Sequence, residues 1–138
     1  MADRYWVLGT GSWSSTNTAN WSDSSGGLGG FSVPTAADNV FFDANSNVGV
    51  TAFTCTMANT PRVCNNFTAS GLDGVMTLAG TAIGLTVSGS LTFQATNFSR
   101  TYTGTTTFNA TTTGKTVTTN GVAFGGQLLL MVSVVVGH

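Results

Sequence analysis

Short runs of apolar and β-branched residues, separated by Asn, Ser and Gly, set the pattern along this chain. Between residues 39 and 69 three runs read as strands: Val40 to Asp43, Val48 to Thr56 and Val63 to Thr68. Asn/Ser turns and the Asn59-Thr60-Pro61 turn divide them. From Gly71 onward the pattern repeats. Thr86 to Thr96 aligns without gaps on Thr101 to Thr111, a shift of 15 residues, and a looser copy runs from Thr116 to Phe124. Thr77 to Gly80 reads as a partial earlier copy, and Phe93, Phe108 and Phe124 recur at nearly constant spacing. Units of strand, Gly turn and strand present similar faces to their neighbours, so together they bury a core that no single unit closes.

Three zones follow from this texture. Residues 1–36 hold all three tryptophans, Trp6, Trp13 and Trp21, and a Gly/Ser stretch from Ser24 to Gly30 without helical period, so they form an opening or anchoring segment. Exposing three indoles is costly, which places them at the end of the β core or against a neighbouring subunit. Residues 37–126 are the β repeats. Residues 127–138 are an apolar terminal strand, Leu128 to Val136, in which Ser133 is the one polar residue. A strand this apolar is expected to be buried on both faces, in the centre of a sheet or between subunits. The whole reads as one all-β domain, β-solenoid-like or a jelly-roll-like β-sandwich, with a trimeric fibre shaft as a third arrangement of the same repeats.

Composition narrows function. The 138 residues include 18 Gly and 25 Thr but five Asp, no Glu, three Arg, one Lys and one His. Charged residues make up 7% of the chain, against about 25% in an ordinary soluble domain. With a formal net charge of −1 the chain has no electrostatic means of gripping nucleic acid and no basic patch for an anionic membrane. Met1 to Trp6 carries no basic segment followed by an apolar one, so export by the common secretory route is not expected. In a reducing compartment Cys55 and Cys64 are expected as buried thiols, although a hairpin around Asn59-Thr60-Pro61 would set them opposite each other.

Catalytic constellations are thin. Asp38 and Asp43 are the one close carboxylate pair, but a spacing of five sets them on opposite faces of a strand, so a turn cap at each end of Val40 to Phe42 is the favoured reading. A hydroxyl nucleophile lacks a base, since His138 is terminal and Lys115 sits inside the repeat. Neither enzyme activity nor a cofactor is expected. Zinc lacks a ligand set, and the oxygen-rich stretch of Asp38, Asn39, Asp43, Asn45 and Asn47 matches a calcium loop less well than ordinary Asx turns. Trp6, Trp13, Trp21, Tyr5 and Tyr102 are candidate stacking platforms for a glycan, with core or interface roles favoured.

The string Arg4-Tyr5-Trp6-Val7-Leu8-Gly9-Thr10-Gly11-Ser12-Trp13, then Asn20-Trp21-Ser22, the Ser24 to Gly30 glycines and Val33-Pro34-Thr35-Ala36-Ala37-Asp38-Asn39-Val40-Phe41-Phe42-Asp43 resembles an N-terminal module of β-rich virion proteins of tailed bacteriophages. Similar wording opens some bacterial β-solenoid surface proteins. Leu8 stands where that module usually has Gly, and the residues after Gly126 leave the Thr/Gly style. The resemblance implies a virion structural protein made in the host cytoplasm, with no catalytic residues. The expected role is a capsid decoration or cement protein, with a short tail-fibre, receptor-binding or glycan-binding module as the alternative. The expected partners are copies of itself, a trimer foremost, and the major capsid protein or another virion protein. The expected interface residues are Trp6, Trp13, Trp21, Leu128, Leu130, Val132, Val134 and Val136.

Overall fold

The computed structural model describes residues 1–49 and 52–131. Its strands wind into a β-solenoid of about four turns with three sheets as its sides. The first sheet stacks β1 (Asp3–Trp6), β4 (Asn39–Phe42), β7 (Phe67–Ala69), β10 (Leu91–Thr92) and β13 (Val117–Thr118), with β3 (Trp21–Ser22) on the outer side of β1. The second stacks β2 (Gly11–Trp13), β5 (Ala52–Met57), β8 (Val75–Ala79) and β11 (Phe98–Arg100). The third stacks β6 (Arg62–Cys64), β9 (Leu85–Val87), β12 (Thr106–Phe108) and β14 (Leu128–Leu130). Every pair between successive turns is parallel, and the pair of β1 with β3 is antiparallel. Of the solenoid and sandwich alternatives, the solenoid is the fold.

The true repeat is one turn. Phe53 stacks on Met76 and Met76 on Phe98, steps of 23 and 22 residues, and Arg62, Leu85, Thr106 and Leu128 climb the third sheet at 23, 21 and 22. The 15-residue similarity is therefore not a stacking period. Shifting by 15 moves Leu91 of the first sheet onto Thr106 of the third, two sides round the coil. What it detects is the strand-and-corner unit that all three sides share.

Period-two alternation explains which residues go where. In β5, Phe53, Cys55 and Met57 are buried while Ala52 and Thr56 are exposed. Thr54, Thr77, Thr86, Thr92 and Thr107 likewise sit at outward, partly covered positions. The abundance of Thr follows: its β-branch suits the strand and its hydroxyl suits the wet face. Inward residues stack in columns such as Val40, Phe67 and Leu91, all buried.

Corners are held by side-chain amides and glycine. Asn39 Oδ1 accepts from Asn65 Nδ2 at 2.9 Å and from the Asn66 amide at 3.2 Å, and Asn66 Oδ1 accepts from the Ser90 amide at 2.8 Å. At the corner between the second and third sheets a Cβ on Gly104 would overlap the backbone of Ile83 and Gly84 in the turn below. Such a corner lies between Arg62 and Phe67, so the expected strand Val63 to Thr68 is two strands, β6 and β7, on different sheets. Of the expected strand from Val48 to Thr56, the described residues show β5 from Ala52 onward, preceded by a 3₁₀ turn at Ala44–Asn47. Cys55 and Cys64 are buried free thiols on the second and third sheets, so the Asn59-Thr60-Pro61 turn is a corner rather than a hairpin.

Candidate functional site

The carboxylates do turn work. Asp38 and Asp43 lie just outside the two ends of β4. Asp38 Oδ2 accepts from the Thr35 amide at 2.9 Å and its hydroxyl at 3.0 Å, and Oδ1 accepts from the Ala2 amide at 2.9 Å. Burial alone would raise its pKa; the Thr35 and Ala2 hydrogen bonds and the charge of Arg4 outweigh that and hold the carboxyl below its ordinary value. Asp43 caps the 3₁₀ turn: Oδ1 accepts from the Asn45 amide at 2.9 Å, Ser46 Oγ accepts from the Asp43 amide at 3.0 Å, and Oδ2 accepts from the Ser25 hydroxyl at 2.7 Å. Among the described residues no three His, Cys, Asp or Glu side chains gather as a metal set.

The tryptophans are not a surface. Trp6, Trp13 and Trp21 have no exposed area. The Trp21 ring meets Trp6 edge-on at 5.0 Å and Trp13 at 5.3 Å, and Phe42 lies against all three. Trp6 Nε1 donates to the Gly9 carbonyl, while the indole N–H groups of Trp13 and Trp21 have no acceptor among the protein groups around them. The antiparallel strand β3 brings Trp21 over the first turn, so the cluster closes this chain's own core. Of the two expected places for these side chains, the end of the β core or a neighbouring subunit, their burial within the single chain fits the first, and none of them offers a face to a sugar.

The two tyrosines are engaged as well. Tyr5 stacks on Phe41 with centroids 4.7 Å apart. Tyr102 is buried, hydrogen-bonded to the Thr106 hydroxyl, and its ring carries the Arg100 guanidinium at 4.6 Å. Burial raises the Tyr102 pKa, partly offset by Thr106 and Arg100. Arg100 also donates to the carbonyls of Tyr102 and Ala123. It occupies the inward register position above Leu78, so its stem and planar head cover the upper end of the second sheet's core.

The other two sheets end uncovered. Val117 stands on the column of Val40, Phe67 and Leu91, which are fully buried, yet is 45% exposed itself. Leu128 and Leu130 continue the inward columns of the third sheet above Thr106 and Phe108, yet are 45% and 59% exposed. Leu129 and Met131 are about as open. Of the two expected places for this strand, the centre of a sheet or a contact between subunits, the first is corrected: among the described residues β14 is the outermost strand of its sheet. Val132, Val134 and Val136 lie outside the described residues. Beside β14 opens a groove of about 330 Å³, lined by Phe108, Ala110, Val117, Leu130 and Met131, with Lys115 at its margin.

Sequence reading missed Val117, Met131 and the groove. The signal was there in principle, since counting one turn back from Leu128 and Leu130 reaches the buried Thr106 and Phe108. The protein is a stack of parallel turns whose C-terminal end, among the described residues, is open and apolar. Comparison with protein-family models, with curated proteins and with solved structures finds no match.

Proposed function

We propose that the protein is a non-enzymatic structural subunit of a tailed-phage virion, a decoration or cement protein that strengthens the head by making contacts with its own copies and with the major capsid protein. The observation that carries this reading is the open end at β13 and β14, an apolar surface that a subunit of an assembly has reason to keep. The resemblance of residues 4–44 to the opening module of β-rich phage proteins supports the virion setting. In the mechanism, apolar strand edges meet across subunit boundaries. A shell then resists rupture because many such contacts must break together.

One structural feature favours a second reading, a short tail-fibre protein: stacked parallel turns make a rod, and rods suit projections. The glycan-binding form of that alternative keeps Tyr5 alone of its five aromatic platforms, since the tryptophans and Tyr102 are buried. Immuno-electron microscopy of particles from a lysate carrying this coding sequence tests the proposal. Labelling over the head surface is the expected result, labelling at the tail transfers the role to the fibre, and unlabelled particles overturn both.

A further inference from the structure

Among the described residues the exposed large apolar side chains gather toward the two ends of the solenoid. Leu8, Leu28 and Phe31 are exposed around the first turn and β3, and Val117, Leu128, Leu129, Leu130 and Met131 on the last turn. From β5 to β12 there is one such residue, Val75. The segment bearing Leu28 and Phe31 runs along the outer side of β3, with the Phe31 amide donating to the Trp21 carbonyl. Arg4 of β1 reaches under it, with Nε donating to the Ser32 carbonyl at 2.8 Å and the guanidinium 5.8 Å from the Phe31 ring, whose outer part stays exposed.

Charge divides along the same axis. Residues 1–49 hold four of the five Asp, with Arg4 as their one cation, whereas the formally charged side chains after Asp73 are Arg100 and Lys115. Asp3 and Asp23 are exposed near the first turn, and Lys115 is exposed on the last. Two C-terminal ends brought face to face would oppose Lys115 to Lys115 in a contact with no acidic side chain to relieve it. An N-terminal end meets the same surface with carboxylates and with apolar side chains of its own.

We propose that the protein associates head to tail: the groove beside β14 in one copy receives the apolar side chains of the N-terminal end, Leu8, Leu28 and Phe31, of the next. The partner is a second copy of this chain, chosen by complementary charge and by apolar surface at both ends. This deepens the assembly reading above and rests on it only in that copies of the chain meet. Such an interface joins two different surfaces, so it propagates into a ring or an open rod instead of closing as a two-fold dimer.

Sedimentation velocity of the full chain over a range of concentration and salt tests it, with circular dichroism showing that each variant keeps its fold. The wild type is expected to form species beyond the dimer. Lys115→Asp and Asp23→Lys are each expected to weaken association by about two- to fivefold at low salt, and the double variant to recover it. Leu130→Ser is expected to weaken it by about tenfold or more, since more than half of the side chain is open in the single copy and free to be buried in the contact. Tighter association of Lys115→Ala, which removes the facing like charges, with no effect of Asp23→Lys means like ends meet, and overturns the proposal. Assembly untouched by all these variants overturns the proposed surface and leaves the assembly reading standing. A chain that stays single at every concentration overturns both.

Discussion

The two ends of the solenoid solve the same problem in opposite ways. A stack of parallel turns must expose a slice through its core at each end, with unpaired strand edges around it. At the N-terminal end β3 folds back antiparallel along β1, and Trp6, Trp13 and Trp21 fill the slice until none has exposed area. At the C-terminal end, among the described residues, the inward columns stop at Val117, Leu128 and Leu130, each about half exposed, while Phe124 packs on Phe93 and Phe108 and Arg100 covers the second sheet's side. The first end serves the stability of the single chain. The second keeps apolar area available to something else.

Substitutions sharpen this contrast, beginning with the largest effect. Trp21→Ala at the closed end should cost about 3–5 kcal/mol, the range for deleting a large buried aromatic, whereas Leu129→Ser at the open end should change stability by less than about 0.5 kcal/mol. Urea unfolding of the two variants measures both, and equal costs would erase the distinction between the ends. Gly104→Val, one turn below the open end, should cost more than about 2 kcal/mol, because its side chain has to enter the backbone of the turn below. A smaller loss in the same unfolding experiment would mean that the turns stack less closely than described.

Acid should reach the closed end through Asp38. Its carboxyl titrates below the ordinary carboxylate value in the folded chain, so it adds stability that is complete above the unfolded pKa of about 3.9 and is lost as the pH falls through the lower folded value. Asp38→Asn should flatten the acid limb of a pH–stability curve, and an unchanged limb would show that the Thr35 and Ala2 hydrogen bonds do not need the charge. The smallest effect belongs to Leu8, exposed and held at φ +67°, a left-handed conformation that suits Gly. Leu8→Gly should stabilise by up to about 1 kcal/mol: relief of a left-handed conformation costing about 1–2 kcal/mol is partly offset by the greater freedom of Gly when unfolded. A clear loss of stability would reveal a contact for Leu8 within the single chain.

Cys55 and Cys64 add a kinetic view of the same core. Burial pushes both thiols well above their ordinary pKa, so neither offers a thiolate at neutral pH. Labelling by a thiol reagent should wait for unfolding. Rapid modification of the native chain would mean that the turns part locally.

Much of the local structure was legible in the chain. Alternation around Phe53, Cys55 and Met57 marks a strand with one dry face, and Asp38 and Asp43 read as turn caps because short carboxylates beside a strand satisfy nearby amides. The fate of the tryptophans was not legible, since an indole that closes its own core and one that closes a neighbour's look alike in sequence. The period was misread for a related reason: three sides built from similar strand-and-corner units show a strong similarity at two sides, while the residues that stack one turn apart, such as Arg62, Leu85, Thr106 and Leu128, differ in kind.

Scarcity of charge, abundance of Thr and Gly, and period-two alternation by themselves determined an all-β chain of short strands, because these are local preferences of backbone and side chain. The tertiary structure alone decided that the strands stack as parallel turns of about 22 residues, that the tryptophans shut one end and that β14 lies at the edge of the other. The physical reason is that burial belongs to the neighbouring turn: Leu91 is covered because another turn lies above it, and Leu130 is open where no further turn lies above it among the described residues.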